Sequence, residues 1–354
     1  MSDFLRRFKV PLIVILLLCA AAAVWVLYAF FGPNHWEGNP EKVVYVSRGE
    51  AFASIADSLT VKGIVRSKAL FVFVAKVSGG ISRLQVGKYV FHEGISNDEI
   101  YSSMRGGKGS LIAVTVPEGL QARQQARLFG KTLGLDSARF MELVRDPDFI
   151  SSLGIDGPSL EGYLLPDTYN FTWQHDEKDV IRRLVEEFHQ FYNDSLQARE
   201  KSLGWTTNQV VTLASIVEGE TRVAGERPVI AGVYLNRLRK GMRLEADPTI
   251  QFIIEDGPRR VYYGDLKIEN PYNTYLHSGL PPGPVNSPGR ASILSTLYPS
   301  VHRYLYFVAN GSGGHWFSQT FAEHQHYVKM FRRARARQRA ALARERDAGA
   351  IHRD

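Results

Sequence analysis

The chain has 354 residues, 44% of them apolar and 11% aromatic, which is ordinary for a globular protein and long enough for two compact domains. Its single cysteine, Cys19, excludes an intrachain disulfide, so the fold stands on packing. The formal charge of +7 lies in the tails, +2 over residues 1–9 and +5 over residues 331–354, and a neutral body argues against a nucleic-acid groove.

The first predicted element is "VPLIVILLLCAAAAVWVLYAFF", Val10 to Phe31, which carries no charge. A helix of that length reaches about 33 Å, enough to cross a hydrocarbon core of ~30 Å. Arg6, Arg7 and Lys9 precede it, so the positive-inside bias keeps residues 1–9 in the cytoplasm and exports the rest. A cleaved signal peptide is disfavoured because the run stays apolar past Ala20 to Ala23. A lipoprotein signal is disfavoured by the bulky Leu18 before Cys19, and a buried core helix by the position at the terminus.

After a linker over residues 32–41, "VVYVSRGEAFASIADSLTVKGIV" predicts a strand, a turn at Arg48 and Gly49, and a helix with Ala53, Ile55, Ala56 and Leu59 at helical spacing. "RSKALFVFVAKVSGG" predicts a second helix and "LQVGKYVF" a second strand. This β-α-α-β order over residues 42–108 resembles a LysM module, which implies binding to N-acetylglucosamine polymers; a positioning domain that binds nothing is the plainer alternative. Residues 103–110, "SMRGGKGS", suit a hinge.

A larger domain is expected over residues 109–330. "IAVTVPEGL" alternates as a strand to Pro117, and "QARQQARLFGKTLGL" and "SARFMELVRD" are amphipathic helices. "DVIRRLVEEFHQFYNDSLQARE" predicts one long helix, and "TTNQVVTLASIVEGET" a central one capped by Thr206, Thr207 or Asn208. Beyond residue 240 the chain is rich in turns until the strand-like "RYLYFVAN", and the arginine-rich residues 331–354 read as a solvated, partly helical tail. The class is α+β.

The central helix carries two carboxylates. Val210, Leu213, Ala214 and Val217 form one stripe, with Glu218 and Glu220 on opposite flanks. Residues two apart do not face each other, so these are not a close carboxylate pair. A retaining glycosidase, with carboxyls ~5 Å apart, would need a partner from elsewhere. Spacing alone leaves open which glutamate matters, and an ion pair of Glu218 with Arg222 beside a solvated Glu220 explains both without any chemistry.

Five segments found together, the end of this helix among them, change that balance. "SLEGYLLPDTYNF", "ASIVEGET", "NRLRKGMRLEADPT", "NPYNTYLHSGLPPGPVNSPG" and "YLYFVANGSGGHWFSQTFAEH" are rich in Tyr, Asn, Asp and Gly-Pro turns. Such segments suit a groove whose rings stack on sugars and whose amides and carboxylates bond hydroxyls. In this order, behind one anchor and a LysM-like module, they resemble the endolytic murein transglycosylase family, also called YceG-like, from residue 10 to about 330.

The resemblance implies a membrane-anchored enzyme of the inner (plasma) membrane with an extracytoplasmic main domain. It implies endolytic cleavage of the MurNAc-GlcNAc β-1,4 bond of peptidoglycan to 1,6-anhydro-MurNAc ends, terminating strand elongation, with Glu218 as the catalytic residue. Such an enzyme needs no cofactor and no metal, and its partners are glycan strands, the membrane, and peptidoglycan synthases or division proteins. Because the sugar's C6 hydroxyl attacks C1, one glutamate serves first as acid and then as base, and the missing second carboxylate is no obstacle. The flanking Ala214 and Val217 would desolvate that acid and raise its pKa. Gly219, where the family often has a charge, and Glu245, where it often has an amide, depart from the pattern.

Glu220 is assigned a supporting role. Asp167 and Asp247 are turn or cap residues shaping the groove, and Tyr163, Tyr169, Asn236, Asn273, Asn286, Thr320 and Glu323 are candidates for substrate contact or groove support. His315, His324 and His326 fit no common zinc spacing, and ring hydrogen bonding is the expectation for all three. Three other readings compete: a glycan-binding scaffold that cuts nothing, a PLP-dependent lyase, which would need a phosphate cradle the sequence lacks, and a lysozyme-type hydrolase using the same acid.

Overall fold

The computed structural model describes residues 2–351 except 48, 81–83, 86, 108–110, 173–174, 256 and 258, with side chains described for residues 12–336 of these. It divides into two compact units: residues 1–113 with 170–175, and residues 114–169 with 176–354. The class is α+β, and strands β3 (Ile112–Thr115) and β4 (Thr168–Phe171) form a two-stranded sheet.

The first unit opens with α1 (Ser2–Phe31), in which Leu12–Phe31 is long and apolar enough to cross a membrane. Its far end is tied to the rest of the unit, because Asn97 donates Nδ2–H to the Ala29 carbonyl at 2.9 Å. Strands β1 (Glu41–Val46) and β2 (Gly87–His92) pair antiparallel, with Val44 opposite Tyr89, around α2 (Phe52–Val61) and α3 (Lys68–Val77). The expected β-α-α-β order is therefore present. Alternation turns Val44, Val46, Tyr89 and Phe91 to one face, where they meet Leu59, Phe71 and Met104 in one core. Each such fully buried side chain contributes about 1.5–3 kcal/mol. Helix α4 (Asn97–Arg105) begins at a Ser96/Glu99 capping box. Of the hinge expected over residues 103–110, residues 108–110 lie outside those described, as do residue 48 of the turn and residues 352–354 of the tail.

The second unit holds α5 (Ala122–Leu133), α6 (Ser137–Arg145), α7 (Pro147–Ser152), α8 (Glu177–Phe191), α9 (Asp194–Leu203), α10 (Thr207–Glu220), α11 (Arg227–Arg239), α12 (Asp247–Ile253) and α13 (Arg290–Leu297). The hairpin β5 (Tyr306–Ala309) and β6 (His315–Ser318) and then α14 (Phe321–Ile351) follow. The segment expected as one long helix is broken at Asn193, whose Oδ1 accepts the Ser195 and Leu196 amides and so caps α9. Asparagine bonds free N–H groups better than it continues a helix, and that preference overrides the apolar periodicity.

Of the three candidate caps for α10, Thr206 is the one used, in a capping box with Gln209. Residues 210–217 of this helix are all buried, so it carries no single apolar stripe. The reason is that α11, α12 and α13 pack around it, so every face of the helix is buried, the small polar Thr212 and Ser215 included.

Candidate active site

Glu218 and Glu220 lie in the last turn of α10. A helix C-terminus carries partial negative charge, so carboxylates there are placed against the macrodipole and need donors from elsewhere. For Glu218 these come from the start of α13. The Gly289 N–H and the Ser292 hydroxyl both bond its Oε2, at 3.0 and 2.7 Å. Its Oε1 faces Nη2 of Arg227, the first residue of α11, at 3.4 Å.

A second carboxylate reaches the same guanidinium. Glu118 Oε2 lies 3.5 Å from Arg227 Nη2. Glu118 follows β3 in the turn of "VPEGL", which is pinned by reciprocal backbone bonds, Gly119 N–H to the Ser287 carbonyl and Ser287 N–H to the Leu120 carbonyl. Gly119 adopts a φ of 77°, a left-handed conformation that glycine alone takes at no steric cost. Burial pushes the Glu118 carboxyl above its usual range and the nearby Glu218 adds to the shift, while Arg227 opposes both. Sequence reasoning missed this residue because a mechanism with one carboxyl called for no partner and spacing points to none outside the helix; the signal present was a Pro-Glu-Gly turn between strand and helix.

Glu118, Glu218 and Arg227 line a cleft of about 730 Å³, within the usual range for ligand sites. Glu220, Asp247 and Asn286 line it too. The Tyr234 hydroxyl donates to Glu220 at 2.6 Å and the Tyr275 hydroxyl to Asp247 at 2.6 Å. Burial pushes the Glu220 carboxyl up to about 7; the Tyr234 bond and Arg237 counter this, and Asp247 reinforces it. Asn286 donates Nδ2–H to the Ser215 carbonyl at 2.8 Å, which fixes its amide against α10.

The other expected residues lie away from this cleft and hold the scaffold. Tyr163 is buried edge-on against Phe188, and Tyr169 donates its hydroxyl to the Leu165 carbonyl. Asp167 pairs with Arg290 at 2.8 Å. Asn236 bonds the His302 and Tyr304 carbonyls, and the fully buried Asn273 bonds those of Leu266 and Ile268. Thr320 and Glu323 bond each other's backbone amides at the start of α14. His315 bonds both oxygens of Glu226, through its ring at 2.7 Å and its N–H at 2.8 Å. Thr221 also bonds Glu226, so this contact fixes the turn that delivers Arg227. Glu245 stands at a φ of 50°, rare for a residue with a side chain, and its carboxylate pairs with Arg237 at 3.2 Å.

The arrangement offers one carboxyl at the cleft wall with Oε2 fixed by two donors and Oε1 beside a guanidinium, which is the equipment for proton transfer to a bound substrate. Comparison with known proteins agrees in kind. The chain is 30% identical over 297 residues to an endolytic murein transglycosylase of Bacillus subtilis (strain 168), covering 79% of this chain and 82% of that protein. It is 29% identical over 314 residues to a protein of the same name from Streptococcus pneumoniae serotype 2, covering 78% of this chain and 56% of that longer one. A crystal structure of a yceG-like protein from Listeria monocytogenes superposes with a TM-score of 0.58 at 29% identity, over 81% of this chain and 99% of that one. Residues 44–330 match the YceG-like family, and the chain belongs to that family.

Proposed function

We propose that this protein is a membrane-anchored endolytic murein transglycosylase, a lyase that cuts the MurNAc-GlcNAc β-1,4 bond within glycan strands and leaves 1,6-anhydro-MurNAc ends. The observation that carries the reading is Glu218, whose Oε2 is held by Gly289 and Ser292 while its carboxyl borders the cleft. Protonated Glu218 gives its proton to the glycosidic oxygen as the C1–O bond breaks. The carboxylate so formed then takes the proton of the C6 hydroxyl as O6 bonds C1, and no water is consumed. Holding O6 beside C1 replaces a second reactant, where effective molarity is large.

Glu220, Asp247 and Asn286 are assigned to the substrate groove, and the scaffold contacts of Tyr163, Tyr169, Asp167, Asn236, Asn273, His315, Thr320 and Glu323 support its shape. Residues 10–31 anchor the chain, residues 42–108 act as a LysM-like glycan-binding domain, residues 109–330 are catalytic, and residues 331–354 form a basic tail. The apolar helix and the charges before it favour a cytoplasmic N-terminus, which confines cutting to glycan near the membrane and suits termination of growing strands beside synthases.

Digestion of isolated glycan strands by the full chain in detergent, followed by size chromatography, tests the endolytic mode. Internal cutting shortens all strands before disaccharides accumulate; immediate release of disaccharides, or no release at all, contradicts the proposal.

A further inference from the structure

Two carboxylates meet one guanidinium in the cleft, and their settings differ. The Glu218 side chain is 7% exposed and anchored by two donors, whereas that of Glu118 is 48% exposed and faces the open cleft. The approach of Glu118 is built into the fold. A Cβ at Gly289 would fall on the Glu118 carboxyl, so the residue that donates to Glu218 is also the one that makes room for Glu118.

The other charged groups around Glu218 are engaged elsewhere or exposed. Glu220 accepts from Tyr234, Asp247 from Tyr275, and Glu226 from His315. Arg290 pairs with Asp167 and Glu187, and Arg222 is exposed at the cleft edge. The local charge balance at Glu218 is therefore set by Arg227 against Glu118. One guanidinium cannot neutralise two carboxylates, and two like charges this close favour retention of a proton by the pair.

Resting on the transglycosylase reading, we propose that Glu118 is a positioning residue of the reaction: through the guanidinium it shares with Glu218, it keeps a proton on Glu218 until the glycosidic oxygen takes it. Arg227 then stabilises the Glu218 carboxylate for the moment before it accepts the C6 hydroxyl proton. No atom passes through Glu118, and no co-reactant is needed.

The test compares the full chain in detergent with its isosteric variant Glu118→Gln and with Glu218→Gln. In Glu118→Gln the guanidinium faces Glu218 alone, so the alkaline limb of the cleavage profile moves to lower pH, with a loss of about tenfold at pH 7 for each unit moved and recovery toward the wild-type rate in acid. An unchanged profile, or an equal loss at every pH, overturns the proposal. Carboxyl-carbon NMR supplies a readout independent of cleavage: the titration of Glu118 moves to lower pH in Glu218→Gln if the two are coupled, and stays where it is if they are not. A wild-type chain that cuts no glycan sinks the transglycosylase reading, while the NMR titration still decides the coupling.

Discussion

The Ser292 hydroxyl lies 2.7 Å from Glu218 Oε2 and joins the Gly289 N–H in fixing one oxygen of the carboxyl. Ser292 is fully buried at the first turn of α13, so Ser292→Ala removes a donor and little volume. The bond strengthens as Glu218 becomes a carboxylate in the transition state, and a hydrogen bond to a charged group is worth about 1.5–3 kcal/mol. The variant is expected to fold normally and to cleave glycan about ten- to a hundredfold more slowly. Initial rates on purified peptidoglycan check this; a rate within twofold of wild type contradicts the role given to Ser292.

Tyr234 supports the other carboxylate of α10. Its ring packs edge-on to Phe307 at 5.8 Å between centroids, and its hydroxyl bonds Glu220. Tyr234→Phe keeps the ring and leaves a partly buried acceptor unmet, at a cost of about 1–3 kcal/mol. Urea unfolding of Tyr234→Phe, Glu220→Gln and the double variant should give a coupling of that order. Additive losses would mean that the 2.6 Å contact carries no net stability.

Glu161 makes stability depend on pH. It is buried, and although the Ala122 N–H bonds its carboxyl, burial pushes it up to about 8. An unfolded glutamate loses its proton near pH ~4.3. Between these values the folded chain binds more protons than the unfolded one, so stability is fully present below the lower value, falls as pH rises and levels off above about 8. Glu161→Gln should flatten melting temperature against pH between about 5 and 8. An equal slope in both proteins contradicts the assignment.

Much of the fold is legible in the sequence because its signals are local. Thr206 with Gln209 announces the start of α10 through side chains that meet backbone groups three residues away, whereas the same signal at Ser96 and Glu99 went unread and α4 was not expected. The β-α-α-β order follows from apolar alternation and spacing. The break at Asn193 was hidden because helical periodicity continues on both sides of it.

The site was legible only in part. Glu218, Asp247 and Asn286 lie in segments whose composition marks a groove, and all three border one cleft. Glu118 joins them only because the turn after β3 bonds the segment around Ser287, a contact between residues far apart in sequence that no periodicity encodes. Conversely, Tyr163, Asn236 and Asn273 have polar groups that a sugar could use, but the fold spends them on its own backbone and core. A polar residue in a turn-rich segment serves either purpose, and only the tertiary partner decides which.

In the proposed mechanism Glu218 alone carries the proton in both steps of an intramolecular transfer. Mass analysis of the fragments released from purified peptidoglycan by the full chain, with Glu218→Gln beside it, tests this most directly. The expected fragments are one water lighter than hydrolysis products and end in 1,6-anhydro-MurNAc, with none from a Glu218→Gln chain whose circular dichroism matches wild type. Hydrated ends from the wild type, or undiminished cutting by the variant, would contradict it.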